Sequence, residues 1–474
     1  MSRDFLSTVC CFFIITCLCS QTLRAQTSEG TTALTAHQKL ARGIFRELIE
    51  TNTTMNIGSG KAAEAIALRL KAAGFSDNDI QLAGPRAQNM NLIVRYRGKG
   101  ALRPVLFFGH LDVVEALRQD WSSDPFVFLE KDGYFYGRGT SDMKNEDADI
   151  VANLIRLKSE GFEPDRDIIV ALTEHEEGGD ANGINWLLTN RRDLIDAEFA
   201  INLEGGGGEI KNGKYLLMKI QTGEKIYVNF QLEIKNKGGH SSLPVKNNAI
   251  YQLAAGLSRL AQYEFPIRMN ETTRTFFQRA ASQENGQAAA DMQAILKIPM
   301  DTSASNRLCA SSAYYNALLR TTCVATMLSA GHAMNALPQT ARAVVNCRML
   351  PDDSLENVFS TLTRVLADSQ IVVSQINQII VSPLSPLRKE VMDKVEKLTT
   401  SMWPGVIVTP VMSTGASDGR YLRKAGIPVY GVSGNFEDVN DIRAHGRDER
   451  LGVQDFYNGV EFMYRFIKAL ASGS

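Results

Sequence analysis

The chain has 474 residues, 44% of them hydrophobic, with 51 Lys and Arg against 52 Asp and Glu and a formal charge of -1. That length exceeds the size at which a single core stops growing, so two domains are expected. The even charge balance and the lack of any long basic run exclude a nucleic-acid surface, which needs clustered Lys and Arg.

The first 25 residues read as a secretory signal peptide. Arg3 lies in a short charged start, residues 5–19 are apolar, Gln21, Thr22 and Arg24 are polar, and Ala25 is the expected last residue before cleavage. The protein is then secreted or periplasmic. An uncleaved leader would anchor it in a membrane, although an apolar run of about 15 residues is short for a span. Cleavage removes Cys10, Cys11, Cys17 and Cys19 and leaves Cys309, Cys323 and Cys347, which lack metal-ligand spacing. Either a disulfide between Cys309 and Cys323 or buried free thiols would account for them.

Between residues 37 and 73 the apolar positions Ile44, Leu48 and Ile49, then Ala62, Ala63, Ile66, Leu68 and Leu70, recur at helical spacing, and Gly74 ends the second helix. Strand-like runs follow at 91–96, 105–108, 167–172 and 198–203, with an amphipathic stretch at 147–158 between them. Strands alternating with helices predict an α/β layer with a largely parallel sheet. Near Lys225 the pattern changes to a long alternating strand at 226–236, a helix at 248–263, strands at 322–327, 341–350 and 371–381, and a helix at 354–367. That is an inserted α+β unit of β-α-β-β-α-β order. Its segment 266–315 reads as long and irregular, and it is expected to shape a pocket or an interface. Pro383 and Pro386 mark a hinge back to α/β character. The expected organisation is therefore 37–222 and 385–474 as two parts of one α/β/α domain, with 223–384 inserted between them.

Several acidic and histidine motifs stand at element boundaries. His110 and Asp112, in Gly109-His110-Leu111-Asp112, end a strand and point to one face, so His110 can ligate a metal while Asp112 orients an imidazole. Asp142 follows the turn Gly137-Arg138-Gly139 and precedes a helix, where a carboxylate can bridge two cations or simply cap the helix. The adjacent acids Glu176 and Glu177 repel unless a cation or proton intervenes. Assigning Glu177 to a metal and Glu176 to proton transfer resolves that conflict. Glu204 ends another strand before the four-glycine run at 205–208, and His445 supplies a further imidazole near the C-terminus. Imidazole and carboxylate together suit a borderline-soft ion such as zinc.

These motifs, with Trp121-Ser122-Ser123-Asp124-Pro125-Phe126, Asp132-Gly133, Lys144, Gly239-His240-Ser241, Asn335-Ala336-Leu337-Pro338, Cys347-Arg348 and Gly415-Ala416-Ser417-Asp418, resemble the di-zinc exopeptidases and deacylases. That family includes aminoacylase, glutamate carboxypeptidase, carboxypeptidase S, acetylornithine deacetylase and carnosinase. The resemblance spans about 37 to 470. It implies that His110, Asp142 and Glu204 hold one zinc and that Asp142, Glu177 and His445 hold the other; cobalt or manganese would fit the same donors. It also implies that Glu176 is the general base and that His240, from the inserted lid or a partner subunit, stabilises the oxyanion. Asn335, Arg348, Gly415, Ala416 and Ser417 would bind a substrate carboxylate, and the lid would form a homodimer contact. Two departures stand out, because many relatives carry Asp where this chain has His175 and Leu203. The expected activity is hydrolysis of an amide next to a free carboxylate in a small peptide, with removal of the acyl group from an N-acyl amino acid as the alternative. A non-catalytic binding homologue would have lost a ligand, and none is lost. A serine hydrolase would need a Gly-x-Ser-x-Gly elbow, which the chain lacks.

Overall fold

Three strands rich in Val, Ile, Leu and Phe, namely Arg166–Thr173, Leu102–His110 and Phe199–Asn202, lie parallel and side by side in the computed structural model, which describes residues 33–473. Their nearly unbroken burial is the pattern of strands covered on both faces. Val429–Gly431 continues the parallel run on the far side of Phe199–Asn202. Antiparallel Asn89–Tyr96 and Ile80–Arg86 extend one flank of the sheet, while Lys214–Glu224, Gly207–Lys211 and Phe436–Asp438 extend the other. Ile407–Ser413 pairs parallel with Lys214–Glu224 and completes ten strands. The parallel centre matches the sequence expectation. The antiparallel flanks were not visible in it. The expected leader, its cleavage point after Ala25 and its four cysteines lie outside the described residues. No helix among the described residues is long and apolar enough to cross a membrane.

Alternation along each strand sends Leu106 and Phe108 to one face, where they meet Ile184, Leu187, Ile195 and Leu422. Helix Lys144–Ser159 packs against both Ala36–Glu50 and Val453–Ala471. Phe45 of the first helix stacks on Phe456 of the last with ring centroids 4.8 Å apart, and Phe128 and Phe135 pack edge-on against Phe45. Truncating such a buried ring to Ala costs about 3–5 kcal/mol, so this joint ties the C-terminal helix firmly to the front of the chain.

Between residues 226 and 375 lies a second, four-stranded antiparallel sheet in the order Thr322–Ala330, Thr340–Met349, Ile226–Lys235, Val372–Gln375. Helices Ala249–Gln262 and Leu355–Leu366 bury Leu253, Leu260, Val358 and Leu362 against Phe230, Leu232 and Val345. The last strand is shorter than the expected 371–381. After Gln375 the side chain of Asn377 takes the Asn229 N–H at 2.6 Å in place of a backbone partner, and the ladder ends.

Two further expectations are corrected. Segment 266–315 is mostly helical, with Glu271–Ala280, Gly286–Ala294, Thr302–Ser311 and Ala313–Leu319, three of them opened by side-chain caps from Asn270, Asp301 and Ser312. Phe277, Met292, Ile295 and Leu308 form a satellite core there with Val411 and Met412 of strand Ile407–Ser413. The disulfide joins Cys323 to Cys347, not Cys309 to Cys323. Cys323 and Cys347 face each other across adjacent strands with Cα atoms 4.1 Å apart, whereas Cys309 sits against the satellite core with a free thiol.

Candidate metal centre

Parallel strands end at one edge of a sheet, and the loops leaving that edge converge. His110 is the last residue of Leu102–His110, Glu176 and Glu177 follow Arg166–Thr173, and Glu204 follows Phe199–Asn202. Three neighbouring strands thus bring a histidine and three acids to the same edge.

Asp142 arrives from a different direction, on the turn before helix Lys144–Ser159. The turn needs Gly139, with φ of 89°, where a Cβ would also lie 2.9 Å from the Lys144 side chain. Buried Glu449 pins the turn: it accepts from Arg138 Nη1 at 2.5 Å and from the backbone N–H groups of Gly139, Ser141 and Asp142 at 3.1, 2.8 and 3.1 Å. The Ser141 hydroxyl adds a fifth donor at 3.2 Å.

The side chains then meet. One ligand atom each from His110, Asp142 and Glu177 lies within 4.8 Å of the others. His110 Nε2 is 3.3 Å from Asp142 Oδ1, and His445 Nε2 lies 3.0 Å from Asp142 Oδ2 and 2.9 Å from Glu177 Oε1. His445, with a left-handed φ of 61°, reaches in from the C-terminal loop. Asp112 meets His110 Nδ1 through its carbonyl at 3.0 Å and through carboxylate Oδ1 at 3.7 Å. The Asp112 carboxylate also accepts the N–H groups of Glu176 and Glu177 at 3.2 and 3.0 Å and so fixes the turn that carries both acids. His175, beside them with φ of 58°, has Nε2 3.0 Å from Glu174 and Nδ1 accepting the Ala181 N–H. Leu203 is buried.

The electrostatics call for cations. Burial pushes Glu177 up to about 7 and raises Glu176, against His110 and Arg420, while burial and then Glu176 lift Glu204 well above the carboxylate range. The hydrogen bond to Asp142 raises His445 to about 9. Acids crowded this way take up protons unless a divalent ion replaces them. Buried His110 Nε2 and Asp142 Oδ1 are left without hydrogen-bond partners despite facing each other. The donor set of imidazole nitrogens and carboxylate oxygens therefore fits metal ions of the zinc type.

Not all expected residues join this cluster. His240 sits on a two-residue ribbon paired with Ala336, and the adjacent Asn335 carbonyl accepts the Ser241 N–H at 3.0 Å. Both are exposed, and among the described residues neither forms a hydrogen bond or ion pair with the cluster. Arg348 stacks on Tyr227, 4.6 Å from its ring centroid. In the loop 415–417, Ser417 donates through N–H and hydroxyl to Glu224 at 2.7 and 2.9 Å, and Arg423 holds the other Glu224 oxygen at 2.5 Å. A cavity of about 220 Å³ lies beside that loop, lined by Tyr227, Ala416 and Arg420 among others.

Sequence reading missed Glu449, Glu224 and Arg420. Arg420 stands two positions past the recognised Gly415-Ala416-Ser417-Asp418 run, and Glu449 four past His445, so each was adjacent to a motif. Nothing local marked Glu224, whose role depends on a loop 193 residues away.

The model of the peptidase family M20/M25/M40 matches residues 106–469. The N-fatty-acyl-amino acid synthase/hydrolase PM20D1 of Homo sapiens is 30% identical over 379 residues, covering 78% of this chain and 74% of its own length. Probable carboxypeptidase S-like 2 of Dictyostelium discoideum is 28% identical over 394 residues, covering 80% of this chain and 74% of its own. The fold is also that of the M20 family metallo-carboxypeptidase Sso-CP2 from Sulfolobus solfataricus, with a TM-score of 0.67 at 17% identity over 91% of this chain and 99% of that one.

Proposed function

Since the chain belongs to the peptidase family M20/M25/M40, whose members are hydrolases, we propose that it cleaves an amide bond next to a free carboxylate, as a carboxypeptidase or dipeptidase does. The approach of His110, Asp142 and Glu177 to within 4.8 Å, with His445 against the last two, carries this reading. In it His110, Asp142 and Glu204 would hold one zinc ion, and Asp142, Glu177 and His445 would hold the second. When bound, such a pair polarises the scissile carbonyl and makes water a nucleophile at neutral pH.

The protein residues do the rest. Glu176, held by the Asp112 clamp on its backbone, takes a proton from the attacking water and passes it to the departing amine nitrogen as the C–N bond breaks. Arg348, Asn335 and the loop 415–417 receive the substrate carboxylate, with Arg supplying a planar fork. Its guanidinium is already oriented by the Tyr227 ring. We take 223–384 as a lid and dimerisation domain between the two catalytic parts, 37–222 and 385–474. His240 then serves the oxyanion of its own or a partner subunit after closure. Exposed Val324, Met327 and Leu328 on strand Thr322–Ala330 support a homodimer through this lid, since an apolar edge strand favours pairing. Secretion through the leader completes the reading.

A deacylase acting on N-acyl amino acids is the second reading. The relative named an N-fatty-acyl-amino acid synthase/hydrolase favours it. Both reactions leave an amino acid carboxylate for the same residues to hold. Turnover of matched dipeptide and N-acyl amino acid panels by the purified mature protein, after chelation and zinc restoration, separates them. Cleavage confined to dipeptides establishes the peptidase, preference for acyl amino acids establishes the deacylase, and no zinc-dependent cleavage of either refutes the proposal.

A further inference from the structure

Helix Lys144–Ser159 carries a further pair of buried acids, Glu146 and Asp149, and no base among the described residues forms an ion pair with either. Glu146, Asp149 and Asn153 are spaced three and four apart, so they share one helix face. That face meets Gly459 and Val460 of the C-terminal helix and the loop containing Ser433 and Asn435, all in the interior. Asn153 Nδ2 donates to the Val460 carbonyl at 3.0 Å, and Asn435 Nδ2 and the Ser433 hydroxyl donate to Glu146 Oε1 at 3.1 and 3.2 Å. These bonds set both amide orientations and use one hydrogen of each amide.

Beside the buried Asn145 Nδ2, the atoms left over are acceptors. Glu146 Oε2, both Asp149 oxygens, Asn153 Oδ1 and Asn435 Oδ1 are buried without a partner. A Cβ on Gly459 would lie 2.3 Å from Asn435 Oδ1 and 3.1 Å from Asp149 Oδ2, so these two oxygens face one spot that the missing side chain keeps open. Burial pushes Glu146 up to about 8, and burial and then Glu146 raise Asp149 well above its ordinary value. Such acids stay uncharged and hold their protons when nothing pairs with them, and a buried ionised carboxyl persists only when paired or bound to a metal.

We propose that Glu146, Asp149, Asn153 and Asn435 hold a hard, oxygen-liganded cation of the calcium class, at a structural site separate from the His110, Asp142 and Glu177 cluster. Two carboxylates match its double charge, and two amide oxygens are ordinary members of such a shell. The donor set contains neither nitrogen nor sulfur, which separates it from the zinc-type cluster. A cation there ties the helix that presents Asp142 to the C-terminal helix and to the 433–435 loop.

The test is equilibrium dialysis of the zinc-saturated mature protein against calcium, with calcium and zinc counted per chain and melting followed alongside. The wild type is expected to bind one calcium more than the Glu146→Gln/Asp149→Asn variant, to melt higher as calcium is added, and to share the variant's zinc content. No calcium on the wild type overturns the site, as does undiminished binding by the variant. A variant that melts above the wild type while calcium has no effect on either would identify neutral acids and also overturn it. Should the double variant fail to fold, the single Asp149→Asn variant decides, since both oxygens of that carboxyl are free of other partners and losing its charge should weaken calcium binding about ten-fold or more; unchanged affinity overturns the proposal.

Discussion

Replacing Glu449 with Gln should loosen the centre without touching a proposed metal ligand. Five donors surround this buried carboxylate, among them Arg138 Nη1 at 2.5 Å and the Asp142 N–H at 3.1 Å, and no acceptor competes. Gln keeps the shape but turns one oxygen into an N–H₂ that faces either Arg138 and Gly139 or Ser141 and Asp142. Breaking a buried ion pair from one side costs about 3–5 kcal/mol. The fold should survive such a loss if its stability lies toward the upper part of the usual ~5–15 kcal/mol. Because the lost acceptor also fixes the Asp142 turn, metal affinity should fall about 10–100-fold, the usual consequence of removing a ligand's support. Chemical denaturation of the metal-free protein reads the first quantity, and competition with a chelating dye reads the second. A stability loss under about 1 kcal/mol with unchanged metal affinity would refute the positioning role, because a charged hydrogen bond alone is worth more than that.

Three further outcomes are expected. Glu176→Gln should lower turnover about 10²–10⁴-fold, the usual range for general acid–base catalysis, at unchanged zinc content; a rate within a few-fold of wild type removes Glu176 as the base. His240→Ala should lower kcat about 10²–10³-fold with zinc retained, as for loss of an oxyanion donor, and an unaffected kcat rejects that assignment. Lys225, buried with Nζ donating to the Arg320 carbonyl and the Thr322 hydroxyl, is lowered by burial to about 7 from 10.5. The unfolded chain therefore binds more protons than the folded one between about 7 and 10.5, so the unfolding free energy gains a positive slope with pH across that window. The penalty for burying this amine is complete below about 7 and relieved above it. Denaturation of wild type and Lys225→Met as a function of pH should show the slope disappear in the variant, and identical profiles would contradict it.

Those residues differ in how far the sequence revealed them. His110, Asp142 and Glu177 were legible because each closes an element whose pattern is local: an apolar strand, a glycine turn, an apolar strand again. The central parallel strands were legible for the same reason. Glu449 and Glu224 were not, since what defines them is a set of donors contributed from elsewhere in the chain. The helices of 266–315 run only seven to ten residues, too short for periodicity to stand out, and their caps are the better signal. The disulfide was misread because register decides it. Cys347 lies opposite Cys323 only once strands Thr322–Ala330 and Thr340–Met349 are aligned. The tasks of Asp112 were half legible: its position beside His110 was plain, whereas its grip on two backbone amides depends on a turn 64 residues later.

Asp142 and the Glu449 that pins it are separated by 307 residues, and His445 is nearly as distant. On a ribosome adding about 5–20 residues per second, the front half of the centre waits roughly a quarter of a minute to a minute for its last imidazole and its supporting acid. A chain released before residue 445 has the sheet edge with His110, Asp142, Glu177 and Glu204, but neither His445 nor Glu449. On the proposed ligand set, the centre is thus completed last, by the one imidazole and the one supporting acid that the final thirty or so residues bring.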